Sequence, residues 1–236
     1  MDYSQLVQEI IAELDEKANP ERLAWAKENY PTSLIIKGVT VPNIRPISKA
    51  MIKRFKKSPP DEVVAFTKQL NDTRILEAIQ IAFEVLEKHK NARRSLTLEE
   101  IEGFSEGMDN WVTVDYFAGM LAGPAWREGQ IADEMIEAWA VSADRWRRRA
   151  AVVCTFALNQ KARGGTGDPE RTLKICSLVV DDHDDMVTKA LSWALRELSK
   201  REPEPVIAFV DRHEDRLAKR VVREVRRKIE TGRKYD

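Results

Sequence analysis

The sequence predicts an all-α protein, a HEAT-like α-solenoid of about six helix pairs with a concave basic groove. Three observations carry that expectation. Apolar residues recur at spacings of three and four along nearly the whole chain, as in Leu6, Ile10, Ile11 and Leu14, or Ile75, Ile79, Phe83 and Leu86, which is the period of an amphipathic helix. No stretch alternates strictly between turns; the one β-like run, 34–41 (LIIKGVTV), is short and leads into Pro42. The second helices of successive pairs begin near 41, 72, 110, 143, 184 and 214, with gaps of 31, 38, 33, 41 and 30 residues. A lone helix pair cannot bury its apolar face, so an irregular period of this size implies stacked repeats whose second helices line one concave surface.

The pattern places helices near 3–17, 20–29, 43–57, 60–70, 73–90, 97–107, 110–122, 126–140, 143–160, 168–180, 184–200, 203–211 and 214–231. Several starts are marked by caps, prolines or acids in the first turn: Asn19-Pro20-Glu21, Pro60-Asp61-Glu62, Thr97-Leu98-Glu99-Glu100 and Asp168-Pro169-Glu170. The 236 residues are 43% hydrophobic with six Trp, enough for a real core, and read as one domain over 1–236. No run approaches 18 uncharged apolar residues, so no transmembrane helix is expected. The N-terminal segment MDYSQLVQEIIAELDEKA has acids among its apolar positions and does not read as a signal peptide. Cys154 and Cys176 each lie in an apolar helical stretch and read as buried thiols of a reducing compartment. The expected location is the cytoplasm, in association with the nucleoid.

The formal net charge is zero, with 39 Lys+Arg against 39 Asp+Glu, but its distribution is uneven. Residues 41–57 carry +6 with no acid, 143–163 carry +5 and 214–234 carry +5, so the remaining 177 residues carry −16. All three basic segments fall on second helices. Each alone could be a solvated helix face; three on one expected surface point to an anion-binding groove.

Off-stripe residues mark that groove. In 184–200 the stripe is Val187, Ala190, Leu191, Ala194, Leu195 and Leu198, and Trp193 lies about 130° from its centre. In 110–122 the stripe is Val114, Phe117, Ala118 and Leu121; Trp111 sits on its flank with Asp115 four residues on, about 40° away. In 143–160 the stripe is Trp146, Ala150, Val153 and Ala157, with Arg149 on its margin and Arg147 and Arg148 further round. Arg149 follows Trp111 by 38 residues and Trp193 follows Arg149 by 44, about one repeat each. Trp111, Asp115, Arg149 and Trp193 are therefore expected on three consecutive groove-lining helices. The plainer alternative is two Trp in inter-repeat packing beside an ordinary Asp–Arg ion pair.

Four segments carry a family resemblance: Gly38-Val39-Thr40-Val41-Pro42-Asn43-Ile44-Arg45, Asp109-Asn110-Trp111-Val112-Thr113-Val114-Asp115, Trp146-Arg147-Arg148-Arg149-Ala150-Ala151, and Lys189-Ala190-Leu191-Ser192-Trp193-Ala194-Leu195-Arg196-Glu197. In order and spacing they resemble the AlkD-type alkylpurine DNA glycosylases, the HEAT-like-repeat DNA alkylation repair enzymes. The resemblance implies a base excision repair enzyme that hydrolyses the N-glycosidic bond of cationic N3- or N7-alkylated purines in duplex DNA. It places the family's catalytic Trp and Asp on Trp111 and Asp115, its Arg on Arg149 and its second groove Trp on Trp193. The aromatic of its second helix falls near Trp25. Asp115 is then expected to stabilise the oxocarbenium ion and position water, the two Trp to offer π-faces worth about 0.5–2 kcal/mol each, and Arg149 to clamp a phosphate. Arg45, Lys53, Arg147, Arg148, Lys219 and Arg223 are expected to hold the duplex backbone. The family is thought to work without a base-flipping pocket, which implies dependence on the lesion's own charge. No nucleotide or other cofactor, no metal and no membrane contact are expected, and the chain is expected to act as a monomer on alkylated double-stranded DNA. The competing class is a non-catalytic HEAT-like DNA-binding or scaffold module.

Two further motifs read as structural. Asp181-Asp182-His183-Asp184-Asp185 precedes a helix, where acids favour the dipole, and its spacing matches no metal loop. Gly164-Gly165-Thr166-Gly167 lacks the Lys-Ser/Thr of a phosphate-binding loop and reads as a flexible connection.

Overall fold

A computed structural model describes residues 2–233. Lys234, counted in the third basic segment, lies outside the described residues. The chain is all-α, with no strand among the described residues, and packs as two compact units, 1–121 and 122–236.

The first unit contains α1 (Ser4–Glu16), α2 (Pro20–Asn29), α3 (Val41–Phe55), α4 (Pro60–Asp72), α5 (Leu76–Lys88), α6 (Lys90–Ser95), α7 (Leu98–Gly103) and α8 (Trp111–Tyr116). The expected second helices stack in sequence order, α3 on α5 and α5 on α8, while α4 packs on α5 and on α6. Between them Phe66, Phe83, Leu70, Ile81 and Leu86 are fully buried, each contributing about 1.5–3 kcal/mol of transfer free energy. Phe55 stacks on Phe66 at 4.3 Å, and the edge of Tyr3 meets both rings.

The second unit contains α9 (Gly123–Arg127), α10 (Asp133–Ala140), α11 (Arg145–Cys154), α12 (Phe156–Asn159), α13 (Pro169–Leu178), α14 (Asp185–Leu198), α15 (Pro203–Arg212) and α16 (Lys219–Thr231). Here the repeat is plain. The pairs are α10/α11, α13/α14 and α15/α16; first helices stack as α10–α13–α15 and second helices as α11–α14–α16. The expected stripe of α14, from Val187 to Leu198, is buried throughout. Cys154 and Cys176 are free, fully buried thiols; burial raises both above the ordinary thiol range, Cys176 to about 12.

The caps follow the sequence. Asn19 accepts from Arg22 N, Thr97 and Glu100 form a reciprocal capping box, and Asp168 accepts from Arg171 N. Five boundaries differ from the periodicity. The helix expected over 73–90 begins at Leu76, because Arg74 adopts a left-handed φ of 55°. It ends at His89, which accepts from Ala92 N and so starts α6, a helix the pattern did not separate. The helix expected over 126–140 begins only at Asp133: residues 123–127 continue the preceding helix, and Gly129 (φ 80°) follows its end. The helix expected over 143–160 breaks at Thr155, and the last one starts at Lys219, not 214.

The β-like run 34–41 forms a single parallel bridge, Ile35 to Ile75, and is otherwise an extended strap. Glu77 explains its course. This carboxylate, 2% exposed, accepts from the backbone N–H groups of Lys37 (3.0 Å), Gly38 (2.8 Å) and Val39 (3.1 Å). Gly38 has φ 79°, and a Cβ there would lie 2.7–2.9 Å from Leu23 and the Asn19 carbonyl, so only glycine fits. The 164–167 loop is not a slack connection. Arg201 donates to the carbonyls of Asn159 and Gly165 (both 3.0 Å) and Thr166 (3.4 Å), and Arg127 to those of Ala157 and Arg163.

Candidate active site

In the first unit, Asn110 is 1% exposed and accepts from Thr113 N at 3.0 Å, capping α8. That fixes the backbone at Trp111, the first helical residue. Trp111 and Asp115 are both half-buried on one face of α8, whereas Val112, Thr113 and Val114 are buried. The i,i+4 geometry expected from the sequence is thus present. Beyond Tyr116 the helix widens into a π-turn, Phe117–Ala122, just before Pro124, which cannot donate into an ordinary i−4 ladder.

An aromatic cluster surrounds Trp111. Its ring meets the edge of Tyr30 at 5.8 Å and 85°, and Tyr30 meets Trp25 at 5.7 Å and 74°. Arg22 lies 4.1 Å over the Trp25 ring and donates to Tyr30 Oη at 3.1 Å. Trp25 is 44% exposed and Tyr30 only 4%; burial raises the Tyr30 phenol above its ordinary range. The Asp109 carboxylate accepts from Thr32 Oγ1 and from Ser33 N at 2.6 Å, and Asn110 Nδ2 also donates to Thr32. Burial acts to raise the Asp109 carboxyl, and the hydrogen bonds from Thr32, Ser33 and Asn110 outweigh it and hold the group below its ordinary range. Periodicity missed Tyr30, since it lies past the end of α2 in an extended conformation (φ −148°). It also gave no sign that Asp109 binds the 32–33 loop.

In the second unit, Asp144 caps α11 by accepting from Trp146 N. Arg149 is 5% exposed and its Nη1 donates to the Met186 carbonyl in the first turn of α14 at 2.5 Å. Trp193 is half-buried, and its ring lies 3.7 Å from that of Phe156, tilted by 48°. Phe156 is a second neighbour that the sequence pattern did not identify.

The basic residues divide into two groups. All six Lys and Arg of 41–57, Arg45 and Lys53 included, are exposed, and none makes an ion pair among the described residues. Lys49, Lys53 and Lys56 edge a hollow with Lys88, floored by Ile52, Phe55 and Val85. Most cations of the other two segments are engaged. Arg148 Nε donates to Asp182 at 2.6 Å and its Nη1 to the Ser142 and Ala143 carbonyls. Arg147 lies 5.2 Å from the Trp139 ring. Arg216 pairs with Asp181, Arg220 with Asp185 and Glu224, and Arg226 with Asp211 and Glu214. Lys219 and Arg223 are exposed, with no ion pair among the described residues. The acidic run 181–185 thus does more than favour a dipole: Asp184 caps α14, Asp182 and Asp185 neutralise Arg148 of α11 and Arg220 of α16, and Asp181 neutralises Arg216 in the connection before α16. No group of three His, Cys, Asp or Glu among the described residues is arranged to hold a metal ion, and no helix of the described residues is long and apolar enough to cross a membrane.

A stack of helix pairs carrying a half-buried Trp/Asp face on one helix and a run of free cations on another defines a class of helical-repeat proteins suited to DNA. Residues 10–229 match the family model described as DNA alkylation repair enzyme, and the chain belongs to that family. Among solved structures it is similar to a "Predicted DNA alkylation repair enzyme from Enterococcus faecalis", with 18% identity, a TM-score of 0.70, and coverage of 92% of this chain and 98% of that one. That likeness supports the fold. No curated protein matches the chain.

Proposed function

We propose that this protein is a DNA glycosylase of base excision repair, acting on purines that carry a positive charge through alkylation at N3 or N7. Asp115, sharing a half-buried helix face with Trp111, is the observation that carries the reading. In the reaction the C1′–N9 bond breaks and its electron pair passes to the base, which leaves neutral. The deoxyribose becomes oxocarbenium-like. Water adds at C1′ and loses a proton, leaving an abasic site and the free alkylated base.

Asp115 supplies fixed negative charge to the developing cation and orients the water, the kind of contribution that usually dominates such catalysis. Trp111 and Trp193 present π-faces to the cationic nucleotide, with Phe156 backing the latter ring. Arg149 holds a phosphate through its planar guanidinium fork. Trp25 contacts the duplex from its exposed position. Arg45, Lys53, Arg147, Lys219 and Arg223 bind backbone phosphates without reading sequence. Arg148 joins them only by exchanging Asp182 for a phosphate. The lesion's own charge weakens the scissile bond, so discrimination needs no closed pocket around the base, and neutral lesions such as uracil or hypoxanthine are poor substrates.

The test is release of 7-methylguanine from methylated duplex DNA. Asp115→Asn is expected to slow release by about 100-fold or more, with duplex affinity little changed, and Arg149→Lys to weaken both. Undiminished release by both variants removes the assigned residues. Tight duplex binding with no release by the wild type favours a non-catalytic DNA-binding module instead.

A further inference from the structure

The ring of Trp111 is held by groups that the chemistry above does not use. Asn110 fixes the backbone at the start of α8 but leaves the indole free to rotate about its side-chain bonds. Tyr30 supplies the missing constraint: its ring edge abuts Trp111 at 5.8 Å and 85°, and it is itself fixed on three sides. Arg22 donates to its hydroxyl, Trp25 meets its ring, and the chain just beyond it is tied down where Thr32 and Ser33 donate to Asp109. Asp109 stands two residues before Trp111. The contacts therefore close on themselves: Asp109 holds residues 32 and 33, these hold Tyr30, and Tyr30 returns to Trp111.

We infer that Tyr30 is a positioning residue for Trp111, orienting the indole face presented to the damaged nucleotide, with Arg22 and the Asp109 clamp keeping Tyr30 in register. The inference rests on the glycosylase reading and adds to it a residue that makes no contact with DNA. Edge-to-face contacts between aromatic rings favour one mutual orientation over others. Loss of the Tyr30 ring lets the indole sample rotamers that do not face the sugar, which lowers the rate of the chemical step more than it weakens binding. The Trp25 indole, already covered on one face by the Arg22 guanidinium, belongs to the same support.

The experiment measures single-turnover release of 7-methylguanine and, separately, duplex affinity. Tyr30→Leu fills the space without an aromatic edge and is expected to slow release about 3- to 10-fold, with affinity within about twofold. Tyr30→Phe keeps the ring and is expected to recover at least about half of the wild-type rate. Phe209→Leu, a core change in the second unit where the ring meets His213, serves as the stability control and is expected to leave the rate unchanged. If Tyr30→Leu does not fold, Tyr30→Met serves in its place. A wild-type rate for the Leu or Met variant, alongside a slow Trp111→Ala, overturns the inference and leaves the glycosylase reading intact; so does equal slowing by Phe209→Leu. An unslowed Trp111→Ala removes the role assigned to Trp111, and the inference with it.

Discussion

Asp109 lies next to the capping residue of α8, yet its hydrogen bonds run to Thr32 and Ser33, more than seventy positions earlier. Because its folded-state carboxyl lies below the ordinary value, ionisation favours the folded form. The stabilisation is complete above the unfolded value of about pH 4 and is lost as pH falls through the folded one. Wild type is therefore expected to exceed Asp109→Asn in stability at neutral pH, with the difference closing below about pH 4. Denaturant titrations at several pH values check this; a gap independent of pH would show that the carboxylate charge is irrelevant. At this scale the sequence was legible where chemistry follows helical geometry. Trp111 and Asp115 share a face because they are four residues apart. Tyr30 and Phe156 were not legible, because an aromatic contact between separate helices leaves no period in the sequence.

Among elements, the connection between α12 and α13 departs most from its sequence expectation. A Gly-Gly-Thr-Gly run suggests slack, but the glycines are there for close approach. A Cβ on Gly165 would sit 2.7 Å from the Leu158 backbone, and the guanidinium of Arg201 gathers the nearby carbonyls. Gly165→Ala is expected to destabilise the protein by about 2 kcal/mol, measured as a loss in chemical denaturation. Arg201→Met is expected to speed trypsin cleavage after Arg163 in the native state; unchanged cleavage would mean that the carbonyl contacts do not restrain the loop. Elements bounded by caps were read well, since a cap is a local signal. Elements ended by a left-handed residue such as Arg74, or extended through a π-turn, were not: both depend on tertiary contacts that a period of 3.6 cannot encode.

For the molecule as a whole, charge is the property that composition describes least well. Segment sums gave three nearly equal basic stretches; the folded chain makes them unequal. Acids of the 181–185 run and of α16 engage Arg148, Arg216 and Arg220, whereas the α3 cations have no such partners among the described residues. The exposed Arg216–Asp181 pair contributes little to stability, but all of these pairs remove charge that would otherwise meet phosphate. Duplex binding is therefore expected to draw most of its salt dependence from α3. Lys49→Gln with Lys53→Gln should flatten the slope of log K against log salt by about 1.8. Arg226→Gln should flatten it by about 0.5 or less, because that side chain already faces two carboxylates. Equal changes for the two sets would contradict this division. The repeat period and the second-helix positions of the basic segments could be read from sequence. Which cations stay available could not, because most of their partners come from other helices and connections that only the fold brings near.

The Glu77 cradle has a consequence for how this chain can vary. Its three hydrogen bonds all end on main-chain N–H groups, so Glu77 recognises the strap by its backbone and not by its side chains. The side chain of Lys37 points away from the cradle and pairs instead with Asp15, while position 38 admits no Cβ and position 77 needs a carboxylate. In a library of single substitutions the intolerance at Gly38 would be matched by one 39 residues downstream, at an acid far outside the strap.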